Sequence, residues 1–141
     1  MNWTVSIAES MTGGRVSATL VEVADASTYF SGGIVSYSDQ SKIELLGVSA
    51  MSIAQHGVVS EVVALQMARG VKEKFHTDIA LSITGYAGPK GEDVGLVCIG
   101  IIFKEHEDCK KLRFEGKSRD EIIQAATDWM IRQIDFLRKA P

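Results

Sequence analysis

Three times in this chain a short apolar, β-branched segment runs straight into a polar or glycine-rich turn, and twice a helical period takes over beyond it. Thr4 to Ala8 meets Glu9-Ser10-Met11-Thr12-Gly13-Gly14 and then Arg15 to Val23, where Val16, Leu20 and Val23 fall at helical intervals. Gly33 to Tyr37 alternates as a second strand, and Ser38 is placed to N-cap a helix over Asp39 to Leu46 that Gly47 ends. Asp78 to Thr84 reads as a buried strand ahead of a glycine loop over Gly85 to Asp93. Strands and helices interleaved in this way bury their apolar faces only when the strands share a sheet and the helices lie on it. The expected fold is therefore α/β: a three-layer α/β/α sandwich with a largely parallel or mixed central sheet. One domain is expected over 1–141, with no repeat or linker, and strand order is not legible.

The remaining elements fit the same plan. Asp25 to Thr28 is turn-like. Ser49 can cap a short helix that Gly57 stops, and Ser60 caps a helix over Glu61 to Phe75 with Ala64, Ala68, Val71 and Phe75 on one face. Val94 to Phe103 is the most apolar strand, and Cys109, Leu112 and Phe114 suggest a further one at an edge. Ser118 and Glu121 form a capping box for the last helix. Its stripe is Ile122, Ala126, Trp129, Gln133 and Leu137, thickened by Ile123, Met130 and Ile134, and basic Arg138 and Lys139 suit its C-terminal end.

Charge and cysteine usage narrow the functional classes. Fifteen basic against eighteen acidic side chains leave a net charge of −3, which argues against a nucleic-acid partner held through phosphates. Two cysteines, Cys98 and Cys109, are too few for a disulfide scaffold and read as reduced, packed thiols. His56, His76 and His106 stand far apart from one another and read as surface residues, and no metal is expected. No apolar run approaches the roughly 20 residues of a membrane span, and no secretory signal is seen, so a cytoplasmic setting without membrane partners is expected.

Ligands of open α/β sheets collect beyond the carboxyl ends of strands, where the three turns fall. At the first, Ser10 exposes a hydroxyl, and the glycine turn with the helix behind it supplies N–H groups suited to a phosphate or a developing oxyanion. The plainer reading is that Ser10 or Thr12 caps the helix. At the second, Tyr37 ends a strand and Lys42 sits in the first turn of the next helix, where a cation opposes the helix dipole. A desolvated lysine loses its proton more readily and can then accept one from a serine hydroxyl, with a tyrosine hydroxyl to relay it or hold the geometry. The plainer reading is a solvent-facing lysine and an ordinary tyrosine. The third turn, Thr84-Gly85-Tyr86-Ala87-Gly88-Pro89-Lys90-Gly91, could wrap a small ligand or merely connect two strands. It is neither a Walker loop nor GxGxxG.

Taken together, Ala8-Glu9-Ser10-Met11-Thr12-Gly13-Gly14, Phe30 to Ser38 continuing through Lys42 to Val48, His56 to Glu61 and Ser82 to Pro89 resemble the CinA C-terminal domain family. That family includes bacterial nicotinamide mononucleotide deamidases, and the resemblance runs from about Val5 to Leu137. It implies hydrolysis of the carboxamide of nicotinamide mononucleotide to nicotinate mononucleotide and ammonia, without metal or cofactor. Ser10 would be the nucleophile, Lys42 the general base and Tyr37 the third catalytic partner. Gly13, Gly14, Ser27, Thr84, Gly85 and Arg119 would line the substrate pocket. The resemblance further implies a three-layer fold, commonly as a homo-oligomer, and family members usually carry another helix before the first strand. Met11 replaces a commoner cysteine or leucine, and the loop from Pro89 to Val94 is short. Ile123 stands where an arginine is frequent. The same segments would also suit a domain that binds a nucleotide or a protein partner without turnover.

Overall fold

The computed structural model describes residues 3–141, and its elements follow from the local chemistry just outlined. Strand β1 (Val5–Glu9) leads through helix α1 (Arg15–Val21) and a 3-10 turn (Ala26–Thr28) to β2 (Phe30–Val35). Helices α2 (Asp39–Leu46), α3 (Ala50–His56) and α4 (Glu61–Phe75) follow, each with its expected serine cap: Ser38, Ser49 and Ser60 accept from the N–H three residues on. Strands β3 (Ile79–Gly85), β4 (Leu96–Phe103) and β5 (His106–Arg113) then form an antiparallel meander, and α5 (Arg119–Arg138) closes the chain behind the Ser118–Glu121 capping box.

The five strands form one mixed sheet in the order β2-β1-β3-β4-β5. β1 runs parallel to both neighbours, pairing Ile7 with Gly33 on one side and with Leu81 on the other. On one face, Val16 and Leu20 of α1 and Ile122, Ala126, Met130 and Ile134 of α5 pack on Val5, Ile7, Leu81, Ile83 and Ile99. On the other, α2 and α4 bring Leu46, Val63, Met67, Ala68 and Val71 onto Ala8, Ala80 and Ile102. This is the three-layer α/β/α arrangement, and each large side chain buried there contributes about 1.5–3 kcal/mol of hydrophobic stabilisation.

Several boundaries depart from the sequence expectation. β2 begins at Phe30 rather than Gly33 and ends at Val35, which leaves Tyr37 beyond the strand. Gly32 and Gly33 hide its alternation, and close packing explains both: a Cβ at Gly32 would collide with the Phe75 ring, and one at Gly33 with Ser17 Oγ at 2.7 Å. The buried stripe of α5 is Ile122, Ala126, Met130 and Ile134, so Trp129 and Leu137 are only partly buried at its margin. Neither Ser10 nor Thr12 caps α1. Gly14 holds the N-cap position in a left-handed conformation, and the side chain of Glu9 meets the N–H groups behind it.

Contact between α2 and α4 fixes where Lys42 can reach. Gly70 of α4 lies so close to the Leu46 carbonyl at the end of α2 that a methyl group would overlap backbone atoms. Gly70→Ala should therefore destabilise the fold by about 1–3 kcal/mol, although alanine is the better helix former. Urea unfolding monitored by circular dichroism checks this, and an unchanged or raised midpoint contradicts it.

Candidate active site

β1 is followed by a helix on one face of the sheet and β2 by helices on the other, so the chain diverges at their adjacent carboxyl ends and leaves a crevice. A cleft of about 270 Å³ opens there, walled by Ser10 and Met11 after β1, by Tyr37, Asp39 and Lys42 after β2, and by Thr84 to Gly88 at the end of β3. Val58 and Val59 supply an apolar wall, and Lys90 and Arg119 stand at the rim. A depression of about 340 Å³ at Gly47 and Gly70 is lined by no buried polar side chain.

The centre of the cleft is a lysine that the fold takes out of water. Lys42 is 1% exposed, and its Nζ lies 2.8 Å from Ser10 Oγ. The same Nζ donates to the Ser36 carbonyl at 2.9 Å and to the Tyr37 carbonyl at 3.2 Å. A neutral amine has two hydrogens and one lone pair. In that form the two carbonyls engage the two hydrogens and the lone pair faces the Ser10 hydroxyl, whereas an ammonium donates to all three oxygens. Desolvation pushes the Lys42 amine below its ordinary pKa, against the raising field of Asp39. The charged form is the costlier one in this site.

Tyr37 enters differently from the sequence expectation. The residue is 63% exposed, and its hydroxyl accepts from Arg119 Nη2 at 3.3 Å, while its main-chain carbonyl accepts from Lys42. Arg119, the first residue of α5, also donates through Nη1 to the Gly88 carbonyl at 2.5 Å, so one guanidinium ties together segments after β2 and after β3. Thr84 Oγ1 donates to the Val58 carbonyl at 3.2 Å and fixes that wall, and Gly85 lets Met11 approach. Burial, followed by the charges of Glu92 and Asp93, pushes the Tyr86 phenol up.

Three expected pocket residues stand elsewhere. Gly13 and Gly14 build the turn and do not line the cleft; Gly13 N donates to the Ser10 carbonyl at 3.0 Å and Gly14 N to Glu9 Oε1 at 3.2 Å, so neither N–H is free for an oxyanion. Ser27 lines a separate depression with Val21, Val23 and Phe30, before the start of β2 and thus at the opposite end of that strand from Tyr37. Ile123 packs partly into the α1–α5 core. The residue missed in the sequence is Glu9. Its signal was a carboxylate at the end of an apolar strand, followed by a turn rich in donors.

The three histidines are exposed, Cys98 and Cys109 are free thiols, and among the described residues no three His, Cys, Asp or Glu side chains are grouped to hold a metal ion. No described helix is long and apolar enough to cross a membrane.

Fold and cleft together define an α/β/α domain that presents a buried serine–lysine pair at a sheet crevice. The CinA C-terminal domain family matches residues 1–137, and the chain belongs to that family. A CinA-like protein of Rippkaea orientalis is 49% identical over 142 residues, which cover 96% of this chain and 33% of that protein. A CinA-like protein of Dictyoglomus thermophilum is 44% identical over 140 residues, with the same two coverages of 96% and 33%. The chain thus spans about a third of the length of the curated relatives it matches. Among solved structures, the competence/damage inducible protein CihA of Agrobacterium tumefaciens superposes with a TM-score of 0.93 at 31% identity, covering 98% of this chain and 87% of that one. The competence damage-inducible protein A of Klebsiella pneumoniae gives 0.90 at 32%, covering 94% and 84%.

A proton-accepting Lys42 should make Ser10 reactive to a fluorophosphonate in a pH-dependent way. Only the neutral amine takes the serine proton, so labelling should rise with pH through a single ionisation below the ordinary lysine value. Asp39→Asn removes a charge that raises that pKa, and should move the midpoint to lower pH. A flat profile, or a midpoint moved upward, contradicts the assignment.

Proposed function

We propose that this domain is an amidohydrolase that converts nicotinamide mononucleotide to nicotinate mononucleotide and ammonia. The supporting observation is the 2.8 Å approach of Lys42 Nζ to Ser10 Oγ inside a cleft, with the amine desolvated. Ser10 Oγ attacks the carboxamide carbon as its proton passes to Lys42 Nζ. The tetrahedral oxyanion collapses, the C–N bond breaks, and Lys42 returns the proton to the leaving nitrogen, which departs as ammonia. Water then adds to the acyl-serine ester with Lys42 as base, and the carboxylate leaves as Ser10 regains its proton. One amide and one water are consumed, and one acid and one ammonia are formed.

The roles of the other residues follow from their places. Tyr37 holds Lys42 through its carbonyl and Arg119 through its hydroxyl. Arg119 and Lys90 supply cationic donors at the rim for the substrate phosphate, Thr84 and Gly85 shape the wall, and no metal or cofactor takes part. A homo-oligomer in the cytoplasm is part of the same proposal. Its support is the exposed apolar Val21, Val23 and Val35 beside edge strand β2, whose six residues carry no charge.

Purified protein should release ammonia from nicotinamide mononucleotide, and Ser10→Ala should lower kcat by roughly a thousandfold or more, as loss of a covalent nucleophile does. Equal release by the Ser10→Ala protein defeats the assignment. Tight nucleotide binding by calorimetry without turnover in the unsubstituted chain would instead favour a non-catalytic binding domain.

A further inference from the structure

Glu9 is a fully buried carboxylate that none of the steps above uses. Five donors converge on it. Oε1 accepts from Thr12 Oγ1 at 2.6 Å, Gly14 N at 3.2 Å and Val16 N at 3.0 Å; Oε2 accepts from Ser17 N at 2.9 Å and Ser17 Oγ at 2.7 Å. All five are uncharged N–H or O–H groups. A carboxylate without water or a basic partner persists only where its lone pairs are met in this way. Glu9 thus fills the N-terminus of α1 with the chain's own anion.

Its main chain reaches the other half of the site. The Glu9 carbonyl accepts from Ser36 N at 2.8 Å and from Ser36 Oγ at 3.3 Å, and the Ser36 carbonyl in turn accepts from Lys42 Nζ. Glu9 is therefore one peptide bond from Ser10 and one residue removed from Lys42. A second observation concerns the turn itself. Met11 and Thr12 are each about 5% exposed, yet their N–H groups donate to no acceptor among the described residues. Buried N–H groups without acceptors are uncommon. Both belong to the nucleophile's own turn, but only Met11 lines the cleft; Thr12, like Gly13 and Gly14, does not.

We propose that Glu9 is a positioning residue: its carboxylate gathers the N–H groups of Gly14, Val16 and Ser17, and so holds the turn in the form that sets Ser10 against Lys42 and leaves the Met11 N–H to receive the oxyanion. The inference rests on the amidase reading for its kinetic consequence but not for its geometry. The Met11 donor acts on charge that develops only in the transition state, so its loss falls on kcat and spares KM.

The test compares the unsubstituted chain with Glu9→Gln and Ser17→Ala. The first turns one acceptor oxygen into a donor facing N–H groups; the second removes one hydroxyl that holds Glu9 and touches nothing in the cleft. Ammonia release from nicotinamide mononucleotide and fluorophosphonate labelling of Ser10 are measured on protein whose thermal unfolding remains cooperative. Glu9→Gln should lower kcat by roughly a hundredfold with KM within about threefold, and should slow labelling by a similar factor. Ser17→Ala should slow labelling by a smaller factor, on the order of threefold to tenfold. A folded Glu9→Gln protein with kcat and labelling within about twofold of the unsubstituted chain overturns the proposal, as does an equal fall in kcat and rise in KM. Should Glu9→Gln not fold, an unchanged labelling rate in Ser17→Ala overturns it. If the unsubstituted chain labels at Ser10 but hydrolyses no nicotinamide mononucleotide, the amidase reading fails while the labelling comparison still decides the role of Glu9. Absence of labelling in the unsubstituted chain defeats both.

Discussion

A primary amine enclosed by two peptide carbonyls and a hydroxyl is the arrangement on which this molecule turns. An isolated ammonium moved out of water carries a large penalty, and here the amine meets two carbonyls and a hydroxyl instead of a counter-charge, which favours its neutral form. The carboxylate whose charge is felt there, Asp39, is exposed and acts through its field. Because the two carbonyls belong to Ser36 and Tyr37, consecutive residues just past β2, the amine is held by the main chain that follows that strand. A side chain could rotate away; a peptide group anchored by the sheet cannot do so cheaply. The rigidity of the sheet is thereby passed to the base.

The layers around the cleft serve the same placement. α2 has to reach from the back of the sheet to its carboxyl edge, and it does so because α4 presents Gly70 where the Leu46 carbonyl comes closest. α4 in turn sits tightly on the sheet, where Gly100 of β4 leaves room for the Ala64 carbonyl, which also accepts from Ser82 Oγ. A chain of close approaches thus runs from β4 through α4 to α2. Its members are glycines for steric reasons, and a volume change at any of them would be felt at Lys42.

Much of this was legible in the sequence. The serine caps of α2, α3, α4 and α5 are local signals, and the apolar β3 and β4 announce buried strands. Ser10, Lys42, Thr84 and Gly85 could be gathered because ligands collect where strands end, Arg119 was implied only by the family resemblance, and the structure brings those five to one cleft. What failed did so where tertiary contact overrides local pattern. The two glycines of β2 are dictated by Phe75 and Ser17, which no window of neighbouring residues contains. Glu9 reads as an ordinary acid at a strand end until the turn folds back over it. Tyr37 suggested a hydroxyl, while it is the peptide carbonyl of that residue that touches the lysine. Ser27 carried no local signal, and lies before β2 rather than after it.

Because a glutamate already satisfies the electropositive end of α1, that helix has little attraction left for an anion arriving from solvent. The opposite bank of the crevice keeps its charge: a guanidinium at the head of α5 and an ammonium on the loop after β3. The two banks differ in potential by design of the chain alone, and that difference gives any dipolar guest a preferred heading. An anionic end is favoured outward toward α5, which leaves the other end to face the serine.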